Sequence, residues 1–170
     1  LSRGTTIAEV LGGAGYFTAM SGKWHLSNNP LTSASSVWGH LSGATNFFTG
    51  DNSFRLNGEE WKVPKTLNGR PFYTTHAITD FALDFLDEAT TREKDKPFLL
   101  YLAYNAPHYP LHAPQADVKR YDGVYDEGWD KLRRTRHSRQ LKSGLLPARF
   151  KLSPRAPHVP SWKSIPESEK

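Results

Sequence analysis

Two clusters of basic and amide side chains have the residue types needed to bind and cleave an anionic ester. The first cluster is Lys23 with His25, and the second is Asn105 with His108 and His112. Lysine and histidine donate charged hydrogen bonds, which stabilise the negative charge that develops on a sulfate or phosphate oxygen during ester cleavage. The residue types therefore indicate an oxyanion site.

Each cluster follows a segment with strand character. Residues 16–20 alternate large and small side chains before Ser21-Gly22, which predicts a strand that ends just before Lys23. Residues 97–104 (PFLLYLAY) are apolar throughout, as in a parallel strand covered on both faces, and the prolines of 105–114 end it. Because ligands of open α/β sheets bind beyond the carboxyl ends of the strands, both clusters fall where a site is expected.

Spacing alone also allows an ordinary structural explanation. Lys23 is then a solvated lysine and His25 a loop histidine bonded to backbone. A histidine flanked by prolines, such as His108 or His112, often only stiffens a loop. The pattern of residue types leaves both alternatives open.

The elements that position these clusters are those of an α/β protein. Thr6 with Glu9 forms a capping box that predicts a helix ending near residues 12–15. Apolar residues recur with helical spacing in 75–86 and predict an amphipathic helix just before the apolar strand, which is half of a βαβ unit. Residues 126–143 predict a basic helix that stops at Gly144, and the later prolines predict an extended segment.

Turn-forming residues dominate 27–72, leave only short strands between them, and predict hairpins and loops there. The clearest hairpin joins Arg55-Leu56 to residues 59–63 through Asn57-Gly58.

Composition limits the class of protein. The 170 residues are 37% hydrophobic and 12% aromatic, which fits one domain or part of one and excludes disorder for most of the chain. The net charge of +5 favours acidic partners without choosing among them. No cysteine is present, so disulfides, thiolate metal sites and cysteine nucleophiles are excluded within these residues. No apolar run approaches the roughly 20 residues of a membrane span.

Four blocks of sequence, in this order, resemble the arylsulfatases of the alkaline-phosphatase-like superfamily. The blocks are TIAEVL (6–11), AGYFTAMSGKWHL (14–26), HAITDFALDFLDEA (76–89) and KPFLLYLAYNAPHYPLHAP (96–114). The resemblance implies an α/β/α sandwich, incomplete at both ends, with all of 1–170 in one partial sulfatase domain. Residues 27–72 are then a loop and hairpin insertion, and 115–170 an extended arm after the second site loop.

The resemblance also implies roles for three residues. Lys23 and His25 match the family's lysine and histidine that contact the sulfate and the hydrated formylglycine. His108 matches the histidine that binds the sulfate and protonates the leaving oxygen. His112 matches a variable position and is left out of the expected site.

The departures from the family pattern concern the nucleophile and the metal. The sequence has no Cys or Ser in a Cys/Ser-x-Pro-x-Arg motif, and Ser153-Pro154-Arg155 has the wrong spacing. The family's paired aspartates and its later Asp-Asn pair, which bind calcium, are also missing. The resemblance thus implies Ca²⁺ and formylglycine whose residues lie outside this chain, and the chain alone is expected to be inactive.

The expected function is that of a sulfuric ester hydrolase acting on a sulfated small molecule or a sulfated glycan. Two alternatives stay open: a phosphodiesterase or phosphonate hydrolase of the same superfamily, and a non-catalytic anion-binding protein or decayed sulfatase. The basic stretch 133–139 could neutralise nucleic-acid phosphates. No nucleic-acid fold motif accompanies it, so a solvated helix face is the better interpretation. Export to a periplasm or out of the cell would follow family habit alone.

Overall fold

The computed structural model describes residues 4–25, 34–40, 46–50 and 53–170. The chain divides into two compact units, residues 1–112 and 113–170, and each is described here by itself. Leu26, which ends the second block of the resemblance, and parts of the predicted insertion at 27–72 lie outside the described residues.

Among its described residues, the first unit has two α-helices and seven short strands. The helices are α1 (Ile7–Gly13) and α2 (Thr74–Thr91). The strands are β1 (Phe17–Lys23), β2 (Ser36–His40), β3 (Phe54–Leu56), β4 (Glu59–Glu60), β5 (Thr66–Leu67), β6 (Arg70–Pro71) and β7 (Phe98–Ala103).

Five of these strands form one mixed sheet in the order β4-β3-β2-β1-β7, while β5 and β6 pair separately. Strand β1 runs parallel to both of its neighbours, β2 and β7. Strands β3 and β4 continue the sheet in antiparallel fashion. The prediction of an α/β protein with a parallel pair of strands is confirmed.

The capping box predicted for α1 is present. The Glu9 backbone N–H donates to the Thr6 hydroxyl at 3.2 Å, and the Thr6 backbone N–H donates to the Glu9 carboxylate at 2.6 Å. These reciprocal bonds satisfy two amide groups that the first turn of a helix leaves without partners. The local sequence therefore suffices to begin this helix immediately before β1.

Helix α2 packs on the sheet with the apolar stripe that its sequence predicted. Ala77, Ile78, Ala82 and Phe85 are buried along it. The Ser21 hydroxyl of β1 donates to the Ile78 carbonyl at 2.7 Å inside this contact. Because both groups are buried, this hydrogen bond fixes the position of α2 along β1.

Strand β2 lies among the turn formers of 27–72, where the sequence predicted short strands without locating this one. Its Trp38 is fully buried and stacks on Phe81 of α2 with ring centroids 4.5 Å apart. Phe54, on the neighbouring strand, is also fully buried and lies 5.2 Å from Trp38. Residues 36–40 thus belong to the core of the sheet as one of the short strands that the turn formers leave between them.

The hairpin predicted at Asn57-Gly58 is confirmed between β3 and β4. Asn57 has φ 48° and Gly58 has φ 89°, the pair of positive angles that a two-residue hairpin turn requires.

Two predictions about the strands of the site need correction. Strand β1 does not end before Lys23 but includes it, because Gly22 and Lys23 still pair with β2. Strand β7 is not covered on both faces, since Phe98, Tyr101 and Leu102 remain 41–52% exposed. In the described residues, β7 is the last strand of its sheet, with α2 packed against it.

The second unit contains α3 (Gln115–Val118), α4 (Gly128–Lys142) and three single turns of 3₁₀-helix at Lys119–Tyr121, Trp162–Ser164 and Glu167–Glu169. The predicted basic helix is therefore confirmed, and it ends before Gly144 at φ 76°. None of the helices among the described residues is long and apolar enough to cross a membrane.

Asp130 joins α4 to the extended segment that follows it. Its carboxylate accepts the Trp162 backbone N–H at 3.0 Å and an Arg155 guanidinium N–H at 3.0 Å. The Trp162 ring also meets Trp129 edge to face at 4.7 Å. The Trp162 hydrogen bond, followed by the Arg155 hydrogen bond, lowers the pKa of Asp130 below its usual value.

We expect this carboxylate to make the stability of the second unit depend on pH. A lowered pKa contributes stability that is present above the unfolded pKa and lost as pH falls through the folded pKa. Asp130→Asn should therefore lower the melting temperature at neutral pH and flatten its fall in acid, as followed by tryptophan fluorescence. The control is Asp122→Asn, an exposed site on the same unit. Identical melting curves for the two variants would contradict the prediction.

Candidate active site

The parallel pairing of β1 with β7 brings the two sequence clusters to one edge of the sheet. Gly22 of β1 is in register with Ala103 of β7, so both strands end at the same level. Lys23 is the last residue of β1, and residues 105–112, called here the 105–112 loop, follow the end of β7. The edge thus carries Lys23 from one strand and His108 from the loop after the other.

Glycine is required where these strands meet. Gly22 has φ 122° and Gly39 has φ 150°. A Cβ on Gly22 would overlap the Ala103 carbonyl, and a Cβ on Gly39 would overlap the Gly22 carbonyl. Only glycine therefore permits the close approach of the β7, β1 and β2 backbones at this point. The approach places Lys23, the residue after Gly22, at the edge.

Trp24 anchors the chain beyond β1. It packs against Met20, Val37 and Ala103, which come from β1, β2 and β7 respectively. The residues on either side of it, Lys23 and His25, are half-buried and exposed. No carboxylate among the described residues pairs with Lys23, so its ammonium group is available to an external anion.

His108 is exposed and oriented by its own loop. Its Nδ1 lies 2.6 Å from the Tyr109 carbonyl, and since a carbonyl only accepts, Nδ1 carries the proton of that bond. Its backbone N–H donates to the Asn105 carbonyl at 2.9 Å. Within the described residues Nε2 has no hydrogen-bond partner, which leaves it to exchange a proton with a ligand.

His112 has a structural role. Its Nδ1 accepts the Phe47 backbone N–H at 3.4 Å, and its carbonyl accepts the Tyr73 hydroxyl at 3.0 Å. Its ring also contacts Phe48, with centroids 5.7 Å apart. These contacts tie the 105–112 loop to the 46–50 segment and to the start of α2.

Asn105 is buried at the start of the loop, with 6% of its surface exposed. Neither its side-chain nitrogen nor its side-chain oxygen has a hydrogen-bond partner among the described residues. A buried amide without partners is a destabilising feature that native proteins rarely contain outside functional regions.

The structure places the three expected site residues at one edge but does not join them directly. No hydrogen bond within the described part of the chain links Lys23, His25 and His108. Sequence analysis missed His40, whose Cα is in register with that of Lys23 at the end of β2. The sequence feature that could have indicated His40 is the Gly39-His40 pair. It repeats the Gly22-Lys23 pair, a glycine followed by a basic residue at the end of a strand.

The described residues contain no group of three or more His, Cys, Asp or Glu side chains that could hold a metal ion. This agrees with the expectation that the calcium ligands implied by the resemblance lie outside these residues, and the described residues by themselves offer no site for the ion.

The comparisons with known proteins point to one family. Residues 2–157 match the family model described as Sulfatase. An uncharacterized sulfatase of Schizosaccharomyces pombe is 33% identical over 99% of this chain and 33% of its own length. The arylsulfatase of Klebsiella aerogenes is 30% identical over 85% of this chain and 32% of its own length. The chain thus spans about a third of the length of these curated relatives.

Solved structures agree with the sequence comparisons. The crystal structure of Ps i-CgsB superposes with a TM-score of 0.60 at 28% identity, covering 73% of this chain and 31% of that one. BT4656, solved in complex with its substrate D-glucosamine-2-N,6-O-disulfate, gives a TM-score of 0.56 at 29% identity over 71% of this chain and 22% of that one. These neighbours confirm the predicted α/β fold of the alkaline-phosphatase-like type.

We predict that Gly22→Ala destabilises the first unit. A side chain forced into this backbone conformation costs about 1–3 kcal/mol, before any contribution from the overlap with the Ala103 carbonyl. Gly12→Ala is the matched control, because it lies in α1 with open space around it and should gain about 0.5–1 kcal/mol. Urea unfolding measures both, and equal effects would contradict the proposed close approach.

Asn105→Leu should leave stability unchanged or raise it by about 1 kcal/mol, because the variant removes a buried polar group that has no partner. Asn105→Asp is the control, since a buried unpaired carboxylate should destabilise the protein strongly. Thermal unfolding separates the two variants. A clear loss of stability in Asn105→Leu would mean that the amide makes hydrogen bonds in solution.

Proposed function

Because the chain belongs to the sulfatase family, we propose that the complete gene product containing it hydrolyses sulfate monoesters, with Lys23, His25 and His108 in the site. The supporting observation is the parallel pairing of β1 with β7. It puts Lys23, which has no carboxylate partner among the described residues, and the exposed His108 at the same sheet edge. Residues 1–170 are proposed to be part of one sulfatase domain, with 27–72 as an insertion and 115–170 as an arm.

Each proposed role follows from the chemistry of its side chain. Lys23 provides a fixed positive charge for the sulfate oxygens, and its contribution grows as charge accumulates on them in the transition state. His25 donates a hydrogen bond to the same anion. His108 protonates the leaving oxygen through Nε2, because Nδ1 is already engaged by the Tyr109 carbonyl.

The nucleophile is proposed to come from outside these residues. The 170 residues contain no cysteine and no Ser-x-Pro-x-Arg motif from which formylglycine could be made. Family membership implies formylglycine and a divalent cation, proposed to be Ca²⁺, in the working enzyme. Residues 1–170 by themselves are accordingly proposed to bind the ester without turning it over.

The proposed substrate class is a sulfated sugar or another small sulfated molecule. One relative, from Bacteroides thetaiotaomicron, is named N-acetylglucosamine-6-O-sulfatase and is 37% identical over 61% of this chain and 16% of its own length. The substrate in the BT4656 complex is a glucosamine that carries two sulfate groups. Both proteins support a sulfated sugar for this chain.

Substitution of the proposed site residues tests this function in the complete gene product. Lys23→Ala should lower kcat/KM for an aryl sulfate by about 10²–10³-fold, because one charged donor to the transition state is lost. His108→Gln should lower kcat by about 10²–10⁴-fold through the loss of the proton donor. The fall in kcat caused by His108→Gln should be smaller for a sulfate ester whose leaving group departs without being protonated.

Two exposed residues of matching type provide controls. Lys65→Ala and His158→Gln change the same functional groups at residues that have no proposed role in the site, and both variants should keep full turnover. Unchanged hydrolysis in both Lys23→Ala and His108→Gln would refute the site. Preferential hydrolysis of a phosphate diester by the unmodified protein would refute the sulfatase assignment in favour of the phosphodiesterase alternative.

A further inference from the structure

Helix α4 carries a row of exposed cations that the proposed catalytic site does not use. Lys131, Arg134, Arg139 and Lys142 are all exposed. Their spacing of three to five residues puts them on adjoining faces of the helix, over a length of about 16 Å. One shallow groove, called here the α4 groove, is lined by Lys131, Arg134, Thr135, Ser138, Arg139 and Lys142.

The charges of this groove are largely uncompensated. Only Lys131 has an ion pair within the described residues, at 3.5 Å from Glu127, and both side chains of that pair are more than half exposed. The Asp130 carboxylate also attracts the charge of Arg134, but it already accepts hydrogen bonds from Arg155 and from the Trp162 backbone N–H. Unpaired cations on one helix repel one another, and a bound polyanion neutralises their charges and removes that repulsion.

An aromatic surface adjoins the cations. A second groove shares Lys131, Thr135 and Arg139 with the α4 groove and reaches Tyr125. Tyr125 stacks nearly parallel to Tyr121, with 8° between the rings and 5.8 Å between centroids. The two tyrosines are 49% and 56% exposed. An exposed aromatic face packs against the C–H face of a sugar ring, while neighbouring cations bind its sulfate groups.

We propose that the α4 groove and Tyr125 form a binding surface for a sulfated oligosaccharide. The inference rests on the proposed function, because its ligand is a chain of the sulfated sugars that are proposed there as substrates. The surface is longer than one sugar ring, so it selects chains over single sugars. Small hydroxyl side chains, Thr135 and Ser138, lie between the cations and can donate to sulfate or ring oxygens.

Nucleic acid is the competing ligand for any basic helix, since the same charges attract phosphates. The groove contains serine and threonine between the cations and one pair of tyrosines stacked on each other. A single-strand binding surface instead presents successive aromatic rings, each of which stacks on one base. The arrangement therefore favours a sulfated sugar chain.

The test is calorimetric binding of a sulfated oligosaccharide to the complete gene product and to the triple variant R134Q/R139Q/K142Q. We expect the triple variant to bind at least about tenfold more weakly. The slope of log affinity against log salt should become shallower by roughly two to three units, as expected when three charge contacts are lost. Glutamine is a good helix former, so α4 should remain intact, as circular dichroism can verify.

The matched control is K62Q/K65Q/K94Q, which removes the same charge from exposed lysines of the other unit. It should change affinity by less than about twofold, because the non-specific effect of net charge is weak at physiological salt. Arg139→Glu is a second, single substitution that also disrupts the groove should the triple variant fail to fold. Equal binding by the two triple variants would overturn the proposal.

Two further measurements separate this inference from the proposed function. Hydrolysis of a small aryl sulfate should be unchanged in R134Q/R139Q/K142Q, whereas the affinity of this variant for the sulfated oligosaccharide should fall. Binding through α4 in a protein that hydrolyses no sulfate ester would support the surface and refute the sulfatase function. Equally tight binding of the desulfated oligosaccharide, or of a single-stranded oligonucleotide of equal charge, would overturn the surface as a sulfated-glycan site.

Discussion

The close approach of β7, β1 and β2 through Ala103, Gly22 and Gly39 is the constraint on which the rest of the first unit depends. The two glycines have positive φ angles and no room for a Cβ. The backbones of the three strands therefore approach closely at the point where the strands end. This contact places Lys23 beside the loop that carries His108. Helix α2 supports the arrangement from one face of the sheet through the buried bond between Ser21 and Ile78. The proposed site needs such rigidity, because charged donors stabilise a transition state most when they are already in position.

We propose that the donor side chains at that edge bind an anionic ligand. Lys23 lacks a carboxylate partner among the described residues, and the His108 ring is held through Nδ1 so that Nε2 remains available. His112, four residues further along the same loop, instead accepts the Phe47 backbone N–H at its Nδ1 and the Tyr73 hydroxyl at its carbonyl. The difference between two histidines four residues apart lies in their surroundings, since one is exposed and the other is packed among aromatic rings.

Sequence reasoning succeeded where local chemistry decides structure and failed where pairing between distant segments decides it. The capping box of α1, the Asn57-Gly58 turn and the apolar stripe of α2 are each encoded within a few residues. Strand β2 is encoded by no local pattern; residues 36–40 become a strand because Trp38 packs between Phe54 and Phe81, and β1 supplies the hydrogen bonds. His40 was missed at the candidate site for the same reason, as only the register with Lys23 brings it to the edge. The exposure of β7 was likewise unpredictable, because an apolar sequence does not show how many layers cover it.

We propose that Lys23, His25 and His108 bind one sulfate group together. A titration of the ¹⁵N-labelled complete gene product with sulfate, followed through the imidazole and ammonium resonances by NMR, tests this directly. The signals of Lys23, His25 and His108 should shift along one binding curve with a single Kd, while those of His137 and His158 in the other unit should not follow that curve. Independent curves for Lys23 and His108, or no shift of either, would contradict the existence of a shared site.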